Sequence, residues 1–289
     1  MKRRDFLFTS TLAALAMNDL YAFAKWSNSL PENGAKMPVL FIGHGSPMNA
    51  IEDNEFSRGW KSLAGKLPSP TAIVVVSAHW ETLGTKITTM EKPRTIHDFV
   101  GFPEKLFQQS YPAPGHPKLA AEIISTVKST AILPDEQWGL DHGTWSILLP
   151  MFPKADIPVI QLSLDRSKGP SYHFELAKEL RSLRKKGVLI IGSGNIVHNL
   201  GRILWEDKAY DWAIEFDSKI KTAIDANDSK TLIDYTSLGK AALLSVPSNE
   251  HYLPLLYAAG LRDEKDKVSY LNDKTTMGAI SMRSVMYHS

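Results

Sequence analysis

Short runs of consecutive apolar residues recur along the chain and predict buried strands. The runs cover 38–42, 72–77, 158–164 and 188–192. They are rich in β-branched residues and lack polar alternation, which is typical of central strands covered on both faces. Helical spacing of apolar residues predicts helices at 117–130, 143–151, 171–186, 210–226 and 250–260. The segment 278–287 alternates more regularly and predicts a late strand.

Strands that alternate with helices predict an α/β fold, here a single-domain sandwich with a central, mostly parallel or mixed sheet flanked by helices. The domain is expected to span residues 37–288 of the 289-residue chain. Its 43% hydrophobic content is typical of a globular protein with a sizeable core. The segment 91–117 is rich in proline, glycine and aromatic residues, which indicates either an ordered loop over a site or a plain surface excursion.

The N-terminal segment 1–24 has the pattern of an export signal. Lys2, Arg3 and Arg4 precede a short apolar stretch, and 22–24 offers a small-x-small cleavage site. The run RRDFL is similar to the twin-arginine signal. We therefore expect a periplasmic protein, or a cytoplasmic one if the leader is not functional. No segment reaches the roughly 18 apolar residues of a membrane span.

Charge and composition narrow the possible functions. The formal charge is +2 and no basic run is present, so nothing in the sequence indicates a nucleic-acid partner. The absence of cysteine excludes disulfides, thiolate nucleophiles and iron–sulfur clusters. A metal in this chain would have to be held by imidazole and carboxylate groups, which directs attention to its nine histidines.

Three histidines follow the carboxyl ends of predicted strands. They are His44, His79 and, after a short loop, His198. Ligands of open α/β sheets bind at that edge, so the three imidazoles could meet there, although a single histidine after a strand is usually a structural hydrogen-bonding group. His251 begins a predicted helical segment, and spacing alone does not bring it to the others. Three further histidines are interpreted as surface residues: His116, His173 and His288.

Seven motifs resemble, in the same order, the class III extradiol dioxygenases of the 4,5-DOPA dioxygenase branch. Together they span about residues 37–287, which is nearly the whole predicted domain. The motifs are GHGSPM at 43–48, VSAHW at 76–80, TIHDF at 95–99, YPAPG at 111–115, DHGTW at 141–145, GNIVHNL at 194–200 and EHYLPL at 250–255.

The resemblance implies roles for five histidines. His44, His79 and His251 correspond to the metal ligands of this family. His198 corresponds to its acid–base histidine, and His142 to a histidine that lines the substrate pocket. We therefore expect His198 and His142 to be the catalytic residues.

Other positions have weaker or alternative roles. In other class III branches a glutamate is the third ligand, so Glu250, directly before His251, is the alternative to it. His97 and Trp80 are expected to bind substrate. Further residues considered for the pocket are Asp98, Tyr111 and Phe102.

The chemistry implied by the resemblance requires one divalent metal. When imidazole ligands occupy one face of iron(II), the other coordination positions stay open for a catechol and dioxygen. These are the two small-molecule partners that we expect. Zinc(II) could occupy the same site in the isolated protein, with His198 as a fourth ligand, but zinc lacks redox chemistry. Two alternatives use the same histidines: a zinc-dependent hydrolase, and a non-catalytic binding protein of the same superfamily.

Overall fold

The chain folds around an eight-stranded mixed sheet. A computed structural model describes residues 36–289, and the predicted leader at 1–24 lies outside the described residues. The strands of the sheet follow the order β4-β3-β5-β2-β6-β1-β10-β7. The strands are β1 (Val39–Gly43), β2 (Ala72–Thr82), β3 (Thr85–Thr88), β4 (Ile132–Asp135), β5 (Val159–Asp165), β6 (Val188–Gly194), β7 (Lys267–Leu271) and β10 (Ser284–His288). A separate pair is formed by β8 (Thr275–Thr276) and β9 (Ile280–Ser281).

The four strands predicted from continuous apolar runs form the centre of this sheet. Strands β5, β2, β6 and β1 are mutually parallel. Antiparallel pairs, β3 with β5 and β10 with β1, begin the two flanks. Alternate residues of β1 explain the missing polar alternation: Val39 and Phe41 enter one hydrophobic core, and Leu40 and Ile42 enter the other. The predicted α/β fold class is confirmed.

Helices cover both faces of the sheet. They are α1 (Glu55–Ala64), α2 (Glu104–Phe107), α3 (Pro117–Thr126), α4 (His142–Met151), α5 (Pro170–Glu179), α6 (Asp211–Asp225), α7 (Ser229–Ile233), α8 (Lys240–Ser245) and α9 (Leu253–Leu261). Helices α1 and α4 pack into one core, and α3, α5, α6 and α9 pack into the other. Among the described residues, no helix is both long and apolar enough to cross a membrane.

The parallel strands present their carboxyl ends at one edge of the sheet. Gly43 at the end of β1 pairs with Gly194 at the end of β6, and Ser77 of β2 pairs with Ser193 of β6. This register brings the residues that follow β1 and β6 close to the carboxyl-terminal residues of β2. The segment 91–117 is tied to the same edge, because Ile96 N–H donates to Leu140 O over 2.8 Å.

Several sequence predictions differ from the structure in their details. The predicted helix at 171–186 ends at Glu179 and continues as a 3-10 helix, Arg181–Lys186, which stops at the left-handed Gly187 (φ 77°). The predicted helix at 250–260 begins only at Leu253, so His251 lies in the preceding turn. The short strands β3, β4 and β7 were not predicted, because they lack long apolar runs.

The prediction that His173 lies on the surface is wrong. His173 belongs to α5 and is fully buried. Its Nδ1 atom lies 3.2 Å from the hydroxyl of Tyr257 in α9. Burial lowers the pKa of His173 to about 4, so the ring is neutral and serves as a polar contact between two packed helices.

Candidate metal centre

Three separate segments bring His44, His79 and His251 together, and we call these residues the histidine triad. His44 follows β1 directly, His79 lies in β2, and His251 lies in the turn before α9. Each contributes one ring nitrogen to a group whose atoms all lie within 4.8 Å of one another. The Nε2 atoms of His44 and His79 are 3.3 Å apart. The triad is therefore a group that could hold a metal ion.

The hydrogen bonds of Ser193 determine which nitrogen of His44 is available. Its Nδ1 atom lies 2.9 Å from Ser193 Oγ. The Ser193 hydroxyl donates its own proton to the carbonyl of Gly143. Ser193 Oγ therefore accepts from His44 Nδ1–H, which leaves a lone pair on His44 Nε2.

Glu250 makes the corresponding contact with His251. Its Oε1 atom lies 3.0 Å from His251 Nδ1, so the carboxylate accepts the proton of that nitrogen. The Nε2 atom of His251 is buried without a hydrogen-bond partner. A buried nitrogen without a partner is costly unless something else binds it. Glu250 thus contacts the other ring nitrogen of His251, which is the position of a group that orients a ligand.

Asp98 supplies the partner of His79 from the segment 91–117. Its Oδ2 atom lies 3.5 Å from His79 Nδ1 and 3.0 Å from His142 Nδ1. Its Oδ1 atom accepts the backbone N–H of His142 over 2.8 Å. Asp98 therefore places part of the segment 91–117 against the histidine triad.

Two other groups of potential ligands overlap with the triad. One contains His79, Asp98 and His142, and the other contains His198, Glu250 and His251. In both groups a carboxylate faces the Nδ1 atom of a histidine. The triad differs because each of its rings has a separate polar group near Nδ1, so three Nε2 atoms remain available. Among the described residues, it is the group best suited to one shared ion.

Burial keeps the imidazoles of this site neutral. Desolvation, followed by the neighbouring histidines, lowers the pKa of His44 and of His251 well below 6.5. Desolvation also lowers the pKa of His79, and that of His198 to about 4. Neutral imidazole is the form that binds a metal and the form that accepts a proton. The rings are therefore in the required state at neutral pH.

His198 and His142 lie on two sides of the triad. The His198 ring stacks on His251, with centroids 3.5 Å apart and planes 8° apart. Its backbone N–H donates to Ser245 O over 2.9 Å, which anchors the residue to the end of α8. The His142 ring, at the first residue of α4, has its centroid 3.8 Å from that of His79. The structure thus brings five of the predicted site histidines together.

Two glycines allow the close approach of these segments. A Cβ atom on Gly143 would lie 2.8 Å from Cδ2 of His79, and one on Gly194 would collide with the backbone carbonyl of His251. Real Cβ atoms do not approach other atoms so closely. Glycine is therefore required where α4 and β6 pass the histidines.

The remaining predicted pocket residues contact other groups. His97 Nε2 lies 3.0 Å from Gln109 O, and Trp80 stacks on Trp138 at 5.6 Å. The hydroxyl of Tyr111, expected in an aromatic wall, donates to Phe152 O from a buried position. Phe99 instead lies beside the site, with its ring centroid 5.5 Å from that of His142. The substrate contacts of His97 and Trp80 stay predictions.

Sequence reasoning missed Ser193 as a partner of His44. The Gly-Ser-Gly run at 192–194 lacks the spacing of a hydrolase nucleophile, and no other role was expected for it. The available signal was positional, because Ser193 directly follows the predicted strand 188–192, as His44 follows the predicted strand 38–42 after one glycine.

Comparisons with known proteins assign the family. Residues 38–285 match the family model described as the catalytic LigB subunit of aromatic ring-opening dioxygenase. A 4,5-DOPA dioxygenase extradiol of Escherichia coli K12 is 44% identical over 88% of this chain and 95% of its own length. One of Beta vulgaris is 37% identical over 87% of this chain and 96% of its own length.

A solved structure agrees with this assignment. The crystal structure of an uncharacterized Escherichia coli K12 protein is 41% identical, covers 87% of this chain and 99% of its own, and superimposes with a TM-score of 0.77. Neither alternative from the sequence, a zinc hydrolase or a binding protein, is favoured by these relatives. The chain belongs to the LigB family of aromatic ring-opening dioxygenases and is an extradiol enzyme of that family.

Proposed function

We propose that this enzyme opens the ring of a DOPA-like catechol with dioxygen, using one iron(II) ion held by His44, His79 and His251. The observation that carries the proposal is the triad itself, whose ligand atoms lie within 4.8 Å of one another in a LigB-family chain. The product is an open-chain semialdehyde.

The residues present fit a single divalent metal. Bonds of about 2.1 Å from one ion to two imidazole nitrogens separate those nitrogens by about 3 Å. The separation of 3.3 Å between Nε2 of His44 and Nε2 of His79 agrees with this value. The buried Nε2 of His251 has no other partner. Iron(II) is favoured over zinc(II) because reaction with dioxygen needs a redox-active metal.

Such an ion supplies Lewis acidity for the catechol hydroxyls and a template that brings dioxygen to the ring. His198 accepts the proton of a catechol hydroxyl and later returns it, because its neutral ring lies beside His251. Its pKa of about 4 means that it is not already protonated at neutral pH. His142 lies next to His79 and is expected to line the pocket there.

The choice of a DOPA-like catechol rests on relatives. Proteins of Escherichia coli, Beta vulgaris and Portulaca grandiflora that are 35–44% identical carry the name 4,5-DOPA dioxygenase extradiol. The ring of Phe99 beside His142 is suited to contact an aromatic substrate.

Substrate turnover tests the proposed function. Protein loaded anaerobically with iron(II) is expected to consume one dioxygen per DOPA and to form a coloured ring-opened product, followed by an oxygen electrode and visible absorbance. A zinc-loaded sample is the matched control and should consume no oxygen. Failure to consume oxygen with DOPA, caffeate and a fused-ring catechol would contradict the proposal.

Removal of triad side chains tests the ligand assignment. His44→Ala and His79→Ala are each expected to lose stoichiometric metal, measured by elemental analysis after dialysis, because each deletes one of three ligands. His288→Ala removes a histidine from the C-terminal strand and should keep the wild-type metal content. Full retention of metal in either triad variant would refute the assignment.

Replacement of His198 separates metal binding from proton transfer. His198→Gln is expected to keep iron(II) but to lower kcat by a factor of about 100 or more, because general acid–base catalysis contributes roughly that much. Steady-state oxygen uptake at saturating iron(II) measures the effect. Undiminished turnover would remove the role of His198.

We also propose that residues 1–24 direct export by the twin-arginine pathway, on the basis of Arg3 and Arg4 before a short apolar stretch. Replacing both arginines by lysine is expected to retain the protein in the cytoplasm. Cell fractionation with immunodetection measures the distribution. The same distribution for both forms would argue against an export role.

A further inference from the structure

We infer that Asp98 is a positioning residue that holds two histidines of the site at once, the ligand His79 and the pocket residue His142. The inference rests on the proposed function, since it assigns how the chain prepares the same metal centre. It predicts that one carboxylate controls both metal affinity and the conformation of the substrate pocket.

A single oxygen of Asp98 faces both rings. Oδ2 lies 3.0 Å from Nδ1 of His142 and 3.5 Å from Nδ1 of His79. Both are short contacts between a carboxylate oxygen and a ring nitrogen, and His142 Nδ1 is a buried atom that makes no hydrogen bond of regular geometry among the described residues. The other oxygen, Oδ1, accepts the backbone N–H of His142 over 2.8 Å. Asp98 therefore contacts His142 at two points and His79 at one.

This arrangement favours one tautomer of each ring. An ionised carboxylate only accepts hydrogen bonds, so its charge favours a proton on each Nδ1 that faces it. The Nε2 atoms of His79 and His142 then keep their lone pairs. For His79 that is the nitrogen next to His44 Nε2, as metal binding requires.

The loop around Asp98 is held in place by its own contacts. Ile96 N–H donates to Leu140 O over 2.8 Å, and the indole N–H of Trp145 donates to Ile96 O over 2.8 Å. The first contact joins the loop to the segment just before α4, and the second joins it to α4 itself. The side chain of Asp98 is only 19% exposed, so solvent competes weakly for its oxygens.

The neighbouring carboxyl group, Asp141, cannot serve the same purpose. Its Oδ1 atom accepts from the Ser77 hydroxyl over 2.7 Å and from the backbone N–H of Thr144 over 3.0 Å. Its Oδ2 atom accepts from the Gln161 amide over 2.7 Å. Asp141 therefore caps α4, and Asp98 is the carboxylate that contacts the rings of His79 and His142.

Asp98→Asn tests the inference at nearly constant volume. The amide oxygen can accept the His142 backbone N–H only if the NH2 group turns toward the two Nδ1 atoms. The rings must then move their protons to Nε2, which removes the lone pair that binds metal. We expect the affinity of the metal-free protein for cobalt(II), followed by visible absorption and competition with a chelator, to fall about 10–100-fold.

Asp165→Asn is the matched control. Asp165 is also buried and accepts hydrogen bonds from Ser167 in its own loop, at the end of β5. This variant should bind cobalt(II) as the wild type does. Unchanged affinity in folded Asp98→Asn would overturn the inference. If the wild type itself binds no cobalt(II), the proposed function fails instead, so the two failures are distinguishable.

A second readout isolates the contact with His142. At saturating iron(II), Asp98→Asn is expected to lower kcat/KM about 10-fold. In a His142→Gln background the same change should lower it by less than about twofold, because the two residues act together. Independent losses that multiply in the double variant would show that Asp98 does not act through His142.

A further pair of variants applies if Asp98→Asn does not fold, as judged by the thermal unfolding midpoint of the metal-free protein. Asp98→Glu keeps a group that only accepts hydrogen bonds, whereas Asp98→Ser removes the carboxylate. The cobalt(II) affinity of Asp98→Glu is expected to be closer to that of the wild type. The reverse order would overturn the inference.

Discussion

The candidate metal centre depends on imidazole rings that are buried together and yet keep their inward nitrogens unprotonated. Burial disfavours the charged form of each ring, and each neighbouring histidine disfavours it further. Neutrality alone is insufficient, because a neutral imidazole can carry its proton on either nitrogen. Ser193, Asp98 and Glu250 resolve this choice by facing Nδ1 of the three triad rings.

Residues at the end of β6 hold two members of this arrangement through hydrogen bonds. Ser193 contacts the ring of His44, and the carbonyl of Gly194 accepts the backbone N–H of His44 over 3.1 Å. The backbone N–H of Asn195 donates to the carbonyl of His251 over 2.9 Å. Three consecutive residues thus position two of the three triad members. Because Ser193 and Gly194 belong to a central, buried strand and Asn195 follows it directly, His44 and His251 are held by a rigid element.

The loop that carries Asp98 is connected to the end of β6 through the first turn of α4. Asp98 bonds the first residue of α4, and Gly143, the next residue of that helix, accepts the Ser193 hydroxyl. His44, through Ser193, and Asp98 are therefore linked through contacts on the first two residues of α4. The LigB family assignment accounts for the class of reaction, and these contacts account for how the histidines are held in place.

The sequence by itself determined the central strands and which histidines were candidates for the site. Short apolar runs rich in β-branched residues favour buried strands over helices, and seven motifs in order are specific to one family. Only the tertiary structure decided that Glu250 contacts Nδ1 of His251, that His173 is buried and that Ser193 and Asp98 orient His44 and His79. These contacts join residues from different segments of the chain, and local spacing carries no information about which nitrogen of a ring faces which oxygen.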